Sequence, residues 1–265
     1  MPELPEVETV VRGLRGPLLE RTFLDVEVRW ARSVVTGAEA LRRGLPGRRV
    51  EAIDRRGKYL VFRLDDPRTL LIHLKMSGNL LVEPDHAPRD PYMHTVFQLD
   101  NGHQLRLRDP RKFGRVYLTT APDTVLGRLG PEPLADDFSV ADFLALCRGR
   151  RGVLKALLLN QEFLAGLGNI YASEACFLAG LDPRRPISGL RDEEVARLYH
   201  AIRRTLGHGI VHKGSSLDSV YRGGEFQNHF QVYGRESEAC FTCGANIERV
   251  MLGGRSTCFC PRCQR

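Results

Sequence analysis

The first residues of the chain could act as a nucleophilic catalyst. Removal of Met1 would expose Pro2 as a free secondary amine, which can attack a sugar carbon and form a covalent iminium. Glu3 follows directly and could serve as an acid or base. The alternative is an ordinary helix start, where proline and acidic residues are favoured. These residues alone favour that alternative, and the rest of the chain reverses the choice.

A second candidate site lies at the C-terminus, where two Cys-x2-Cys pairs are separated by 16 residues: Cys240, Cys243, Cys260 and Cys263. This spacing predicts a structural zinc site with two knuckles joined by a hairpin, whose tip is Gly253-Gly254. The alternative, four reduced core thiols, is disfavoured because the tail is polar. Cys258 is interpreted as a spare thiol.

Several further residues could contact nucleic acid. The loop Asp109-Pro-Arg-Lys-Phe-Gly presents Arg111 and Phe113 together, and Met76 follows another strand. Inserted side chains of this kind replace a nucleotide pulled out of a duplex. Arg255, at the hairpin tip, could contact phosphate. Taken singly, Met76 and Phe113 are more typical of a core, and Lys58 is equally often a surface cation at the start of a strand.

The composition sets broad limits. The chain has 265 residues, a net charge of +7, a pI of about 9.2 and 42% hydrophobic residues. This length is sufficient for two domains, and the arginine-rich excess suits phosphate contacts. Without a leader or a run of 18 apolar residues, we expect a soluble protein that is neither secreted nor membrane-spanning. The odd count of seven cysteines favours a metal site in a reducing compartment over a disulfide framework.

The elements that would position these residues change in type along the chain. Alternating apolar residues predict strands at 24–30, 49–54, 59–64, 69–74, 79–83, 94–99, 104–108 and 115–119, which is typical of a sandwich or barrel. In the first strand, Leu24, Val26, Val28 and Trp30 are expected on one face. Two prolines and a glycine at 130–133 end this pattern and predict a hinge.

Helical patterns dominate the remainder of the chain. Asn169 is expected to be the N-cap of a helix through Ala179. A longer helix is expected to end at Gly207 or Gly209. The polar, glycine-rich residues 213–228 are expected to form a mobile loop.

Specific strings connect these features to a known family. They are Met1-Pro-Glu-Leu-Pro-Glu-Val-Glu-Thr, Lys58-Tyr-Leu, His73-Leu-x-Met-Ser-Gly, Asp109-Pro-Arg-x-Phe-Gly, Leu129-Gly-Pro-Glu-Pro-Leu, Gly168-Asn-Ile-Tyr-Ala-Ser-Glu, Gln231-Val-Tyr-Gly-Arg and the four-cysteine tail. Together they resemble formamidopyrimidine-DNA glycosylases over the whole chain.

The resemblance implies an α+β protein with an N-terminal β-sandwich with flanking helices, a helix–two-turn–helix and a zinc-finger β-hairpin. The implied domains are 1–130 (catalytic), 131–235 (helical, DNA-binding) and 236–265 (zinc hairpin). It also implies a cytoplasmic monomer that contains one structural zinc, acts on damaged double-stranded DNA and does not bind membranes. The implied activity removes 8-oxoguanine and formamidopyrimidines and then cuts the strand.

The resemblance also implies residue roles. Pro2 would form the Schiff base, Glu3 would donate a proton, Lys58 would serve β-elimination and Arg255 δ-elimination. The positions matched to DNA contacts are Met76, His94, Arg111, Phe113, Arg151, Lys155 and Asn169.

Two departures and two alternatives remain at this point. Lys213 stands where relatives often have glycine, which leaves the lesion preference open, and Cys258 replaces a bulkier residue. One alternative is an endonuclease VIII-like enzyme for oxidised pyrimidines, against which Leu4 and the intact Asp109–Gly114 string argue. The other is a non-catalytic zinc-bearing DNA-binding protein.

Overall fold

A computed structural model describes residues 1–216 and 223–265 of the chain. These residues form two compact units, one of which contains Met1–Arg128 and the other Leu129–Ser215 with Gly224–Arg265. Of the loop expected at 213–228, residues 217–222 lie outside the described part. None of the described helices is both long and apolar enough to cross a bilayer.

The first unit contains two four-stranded antiparallel sheets. Their strands, in chain order, are β1 (Phe23–Val28), β2 (Val50–Arg56), β3 (Tyr59–Leu64), β4 (Thr69–His73), β5 (Asn79–Pro84), β6 (Met93–Leu99), β7 (His103–Arg108) and β8 (Arg115–Thr119). One sheet has the order β1-β6-β7-β5 and the other β2-β3-β4-β8. Helices α1 (Leu4–Leu18), α2 (Ala38–Gly44) and α3 (Asp123–Leu126) complete the unit, with a 3₁₀ turn at Ala31–Ser33.

One apolar core joins the two sheets and α1. Val7, Val11 and Leu14 recur at helical spacing on α1 and pack into the same cluster as Phe62 of one sheet and Phe97 of the other. Burial of such side chains contributes about 1.5–3 kcal/mol each. The β-sandwich with flanking helices that the sequence predicts is therefore confirmed.

The face assignment of the first strand is wrong at Leu24. This side chain is 54% exposed, whereas Val26 and Val28 are buried. The pairing of β1 with β6 shifts between Phe23 and Asp25. A bulge of this kind breaks the two-residue alternation, so Phe23 enters the core in place of Leu24.

Several loops leave the sandwich at one end. His73, the last residue of β4, pairs with Tyr59 at the start of β3 and with Arg115 at the start of β8. In the other sheet, Arg108 at the end of β7 pairs with the first residues of β5 and β6. The turn at 57–58 and the inter-sheet loops at 74–78 and 109–114 therefore lie at the same end.

The second unit is mainly helical. Its helices are α4 (Val140–Cys147), α5 (Leu154–Leu158), α6 (Asn169–Leu178) and α7 (Asp192–Val211), with 3₁₀ turns at Ile187–Gly189 and Phe226–His229. Two turns join α5 to α6, where the Gln161 side chain donates to the Leu167 carbonyl at 2.8 Å and accepts from the Gly166 N–H at 3.0 Å. This is the predicted helix–two-turn–helix.

The string that begins at Leu129 is hydrogen-bonded to these two turns. The Gly130 N–H donates to the Gln161 carbonyl at 2.9 Å, and the Ala165 N–H donates to the Pro131 carbonyl at 3.0 Å. A Cβ on Gly130 would lie 2.5 Å from the carbonyl oxygen of Phe163. The close backbone approach therefore requires glycine at this position.

Two predicted helix ends differ from the structure. The N-cap of α6 is Gly168, so Asn169 is the first helical residue, and its side chain is directed to the zinc hairpin instead of capping. Helix α7 continues past Gly207 and Gly209 to Val211. Gly209 is buried on the same face as Leu206, which favours continuation of the helix because this face still packs into the interior.

The C-terminal hairpin consists of β9 (Glu248–Leu252) and β10 (Arg255–Phe259), paired antiparallel around Gly253-Gly254. Both glycines have positive φ, as a tight hairpin turn requires. The zinc-finger β-hairpin of the predicted fold is confirmed.

Candidate active site and nucleic-acid interface

The N-terminal string is buried at the start of α1. Glu3 is the N-cap, it is 3% exposed, and its backbone N–H donates to Glu6 Oε2 at 2.8 Å in a capping box. Pro2 is also buried, whereas Met1 is 42% exposed. The capping interpretation therefore describes the local structure correctly, and it leaves Pro2 held rigidly beside a buried carboxyl.

Contacts between α1 and β2 indicate the direction in which the N-terminus lies. Arg15 Nε donates to the carbonyl of Ile53 at 3.0 Å. About two helical turns closer to the N-terminus, Glu8 pairs with Arg55 at 3.1 Å. Residues before Glu8 therefore extend toward the turn between β2 and β3. This turn carries Lys58. Because Lys58 is only 5% exposed, it is not the surface cation that the alternative interpretation of this residue expects.

Neutral aromatic groups lie next to this turn. The His73 ring packs edge-on against Tyr59 at 4.6 Å between ring centres. Burial, with Lys75 and Lys58 adding to it, lowers the pKa of His73 to about 3. Burial also raises the pKa of Tyr59 to about 12, with Tyr117 adding to it. Both rings are therefore uncharged at neutral pH. His73 thus adds no positive charge next to Lys58.

Asp109 joins the two inter-sheet loops. Its carboxylate accepts from the Ser77 hydroxyl in the 74–78 loop and from the Gly114 N–H at 2.6 Å. The Ser77 oxygen in turn accepts from the Arg111 N–H at 3.2 Å. Asp109 is 2% exposed. Sequence reasoning quoted Asp109 as part of a family string but missed its role as a positioning residue.

The loop held in this way presents the expected pair of side chains. Phe113 is 42% exposed, and the Arg111 guanidinium lies over its ring at 5.0 Å from the centroid. Arg111 is exposed as well, and Met76 on the neighbouring loop is half-buried. The prediction of a rigid turn that presents Arg111 and Phe113 agrees with this geometry.

His94 lies at the same end of the sandwich. It is 7% exposed, and burial together with nearby Lys112 lowers the pKa of the ring, which favours its neutral form. The backbone of Asp109 hydrogen-bonds the ring, while Nε2 has no hydrogen-bond partner within residues 1–216 and 223–265. A buried nitrogen of this kind can accept a ligand with little rearrangement.

In the second unit, Lys155 is buried instead of facing solvent. It is 0% exposed, and its Nζ donates to Ser173 Oγ at 2.7 Å and to Thr257 Oγ1 at 2.9 Å. These contacts join α5, α6 and β10. The expectation that Lys155 lies near the phosphates stays a prediction. Without DNA its ammonium donates to protein acceptors and helps to position the hairpin.

Asn169 makes a similar connection. Its Nδ2 donates to the carbonyl of Ser256 at 3.0 Å, whereas its Oδ1 is buried without a partner among the described residues. Arg151, before α5, and Arg255, at the start of β10, are both exposed. A Cβ on Gly253 would lie 3.5 Å from that of Ala156, so the hairpin tip contacts α5.

The Lys155 contacts lead to a stability prediction. Lys155→Ala should destabilise the second unit by about 1–3 kcal/mol, because buried oxygens lose their donor. Arg151→Ala, the exposed control, should stay within about 0.5 kcal/mol of the unmutated protein. Thermal unfolding of both variants measures the difference. Equal unfolding temperatures would show that the buried contacts contribute nothing.

The four predicted zinc ligands come together. Their sulfur atoms all lie within 4.8 Å of one another, with 3.4 Å between Cys243 and Cys260 and 3.9 Å between Cys240 and Cys263. Tetrahedral zinc with bonds of about 2.3 Å places its sulfur ligands about 3.8 Å apart, so the arrangement fits one zinc ion. Cys258 is buried in an apolar cluster with Val232 and Ile247, outside the ligand set.

Glu174 is a second residue that sequence reasoning missed. Its carboxylate accepts three backbone N–H groups, from Gln231 at 2.8 Å, Val232 at 3.0 Å and Tyr233 at 2.8 Å. It thereby joins the end of the Gly168 string to the start of the Gln231 string. The only signal was the presence of both strings, since no local pattern predicts this contact.

Family models match nearly the whole chain. Residues 1–116 match the formamidopyrimidine-DNA glycosylase N-terminal domain, residues 129–220 its H2TH domain, and residues 237–265 a zinc finger found in FPG and IleRS. Among curated relatives, the formamidopyrimidine-DNA glycosylase of Heliobacterium modesticaldum is 47% identical, with 100% of each chain covered. That of Chloroflexus aggregans is 45% identical, with 100% of this chain and 98% of the relative covered.

Solved structures give the same result. A Lactococcus lactis FPG mutant in complex with Fapy-dG-containing DNA has a TM-score of 0.94 and 37% identity, with full coverage of both chains. MutM in complex with carbocyclic 8-oxo-G-containing DNA has a TM-score of 0.93 and 38% identity, again with full coverage. The chain therefore belongs to the formamidopyrimidine-DNA glycosylase family.

Proposed function

We propose that the protein is a bifunctional DNA glycosylase and AP lyase of base excision repair. It excises oxidised purines, namely 8-oxoguanine and formamidopyrimidines, through a Schiff base with Pro2 and then cleaves the strand by β,δ-elimination. The observation that carries the proposal is the buried Pro2-Glu3 pair, which α1 directs toward the end of the sandwich that presents Lys58, Met76 and Phe113. Relatives crystallised with lesion-containing DNA support the same substrate class.

The chemistry begins with the amine. After loss of Met1, the Pro2 nitrogen attacks C1′ of the extruded deoxyribose, the bond to the damaged base breaks, and Glu3 protonates the ring oxygen as the sugar opens. The resulting iminium acidifies the C2′ hydrogen. Water takes that proton, the C3′–O bond breaks, and the departing 3′ phosphate receives a proton from Lys58. Arg255 assists the second elimination at the 5′ side.

The DNA contacts supply the energy for base extrusion. Unstacking one nucleotide costs a few kcal/mol, roughly, and the gap must be filled. Met76, Arg111 and Phe113 occupy the gap, and the Asp109 frame supports this role because the backbone of the loops that carry them needs little ordering on binding. His94, with its unpartnered Nε2, and the exposed Arg151 bind the strand.

Residues near the hairpin contribute in two different ways. Asn169 lies at the start of α6, where the helix dipole favours phosphate, and it also binds the hairpin. Lys155 acts as a positioning residue. Cys240, Cys243, Cys260 and Cys263 hold zinc, which supplies structural order only, because four thiolates leave no open coordination position.

We also propose the domain division 1–130, 131–235 and 236–265, and a monomer that works on DNA in the cytoplasm. A four-thiol metal site supports a reducing compartment, since oxidising compartments convert such thiols to disulfides. Analytical ultracentrifugation of the free protein measures the oligomeric state.

A panel of lesion duplexes tests the substrate class. Duplexes containing 8-oxoguanine, formamidopyrimidine or an oxidised pyrimidine are incubated with enzyme in excess, and single-turnover excision rates are compared. We expect both purine lesions to be excised about tenfold faster, or more, than the pyrimidine. The reverse order would indicate an endonuclease VIII-like enzyme, and no excision of any lesion a non-catalytic binding protein.

Lys58 gives a separate prediction. Lys58→Ala should impair strand cutting or excision of oxidised guanine by about 10²–10⁴-fold, the usual contribution of a positioned proton donor. Borohydride trapping on a preformed abasic site should survive, because that step needs only the Pro2 amine. The abasic duplex thus serves as an internal control, and equal loss on both substrates would contradict the role assigned to Lys58.

A further inference from the structure

Three histidines meet at the C-terminal end of α7. His208 and His212 lie one helical turn apart, and His229 belongs to the 3₁₀ turn Phe226–His229. The ring centres are 4.5 Å apart for His208 and His212, 4.0 Å for His212 and His229, and 4.8 Å for His208 and His229. One ring nitrogen from each histidine lies within 4.8 Å of the others.

Backbone hydrogen bonds hold the two contributing segments together. The Glu225 N–H donates to the His212 carbonyl at 2.9 Å, and the Phe226 N–H donates to the Gly214 carbonyl at 2.9 Å. Ser215 and Glu225 form an antiparallel bridge beside them. The third imidazole therefore faces the helical pair because of main-chain geometry, and little ordering is needed for the three to act together.

The cluster opens onto a cavity of about 380 Å³. His208 and His229 line it, together with Glu174, Arg204, Phe226 and Thr242, whereas His212 does not. Glu174 already accepts three backbone N–H groups, so it is committed to the protein. Three protein ligands with an open position are typical of zinc sites that exchange a ligand.

We propose that His208, His212 and His229 form a second metal site that takes one divalent first-row ion such as Zn²⁺ through three neutral imidazoles. Imidazole is a preferred ligand of Zn²⁺, Cu²⁺ and Ni²⁺, and two histidines four residues apart on a helix present adjacent ligands. The site differs from the four-cysteine site in every ligand. It does not depend on the proposed enzymatic function.

The competing explanation is aromatic packing. Phe226 lies 5.6 Å from His208 and 6.5 Å from His229, so the rings could form a simple stacked cluster. Packing alone does not require three nitrogens to converge, and it predicts no response to metal. The two explanations therefore differ in a measurable property.

Zinc stoichiometry of the untagged holoprotein is the direct test. The protein is equilibrated with micromolar Zn²⁺, freed of excess metal by gel filtration and analysed by atomic emission, and calorimetry records the titration of the one-zinc form. We expect two zinc ions per chain for the unmutated protein and one for His212→Ala. His200→Ala, which removes an exposed histidine of the same helix outside the cluster, should retain two.

A second variant keeps the test decisive if His212→Ala fails to fold. His208→Gln changes an exposed ligand and should retain the cysteine-bound zinc and the unfolding temperature of the one-zinc form. Loss of an outer-shell partner alone weakens metal affinity about 10–100-fold, so loss of this ligand should weaken the second zinc by at least that factor. One zinc per chain in the unmutated protein, or unchanged affinity in His208→Gln or His212→Ala, would overturn the proposal.

Discussion

Pro2→Gly should lose almost all of the covalent adduct that borohydride traps between the protein and an 8-oxoguanine duplex. The proline ring is buried at the start of α1 and holds its nitrogen in one position beside Glu3. Glycine would still offer an amine after loss of Met1, but without the ring that fixes its direction. Reactions between groups that must be aligned lose about 10²-fold for a displacement of 1 Å.

The control for this variant is Pro17→Gly, the same change at the other end of α1. It should trap as the unmutated protein does, and circular dichroism should show both variants folded. Glu3→Gln should separately slow excision by about 10²–10⁴-fold. An undiminished adduct in Pro2→Gly, or an active protein that mass spectrometry shows still to carry Met1, would place the nucleophile elsewhere.

Removal of zinc has the second large expected effect. Chelation, or Cys260→Ser, should abolish tight binding to lesion DNA while the β-sandwich stays folded. The metal supplies about 10–16 kcal/mol in small zinc domains, far more than the hairpin's own apolar contacts. Fluorescence anisotropy with a labelled duplex measures the binding, and the β-sheet signal in circular dichroism reports on the first unit.

Cys258→Ala is the matched control for the zinc prediction. This residue lies on the same hairpin but outside the ligand set, so the variant should keep its zinc and bind DNA. Tight binding by the metal-free protein would show that the hairpin needs no zinc for its function. Loss of binding in Cys258→Ala with zinc retained would assign the effect to core packing.

The strands of the sandwich could be predicted because each has a local signal. β3 and β8 begin and end where alternation of apolar residues places them. The exception is instructive, since the bulge at Phe23 and Asp25 depends on the partner strand, and a single strand contains no information about its partner's register.

The helix starts follow a similar rule. Gly168, and not Asn169, caps α6, because the Asn169 amide donates to Ser256, which is 87 residues away along the chain. Capping preferences describe a local competition, and a distant acceptor can change its outcome.

The candidate site was partly accessible to sequence reasoning. Single exposed side chains, such as Phe113 and Arg255, can be proposed as site residues from their type and position in the sequence. Asp109 and Glu174 were missed because their function is to accept hydrogen bonds from segments that only the fold brings near. Lys155 was identified, but its burial among Ser173 and Thr257 was not foreseen for the same reason.

The Asp109 carboxylate fixes the loops that carry Met76 and Phe113, but it does not bind the side chains at their tips. Among the residues that the structure describes, its hydrogen bonds run to a serine hydroxyl and a glycine N–H, and none runs to the side chains that the loops expose. The tips can therefore be exchanged for larger or smaller residues while their anchorage stays the same. On the function proposed above, a laboratory library restricted to Met76, Arg111 and Phe113 would change the fit of these side chains to the duplex while the Asp109 frame of the loops is retained.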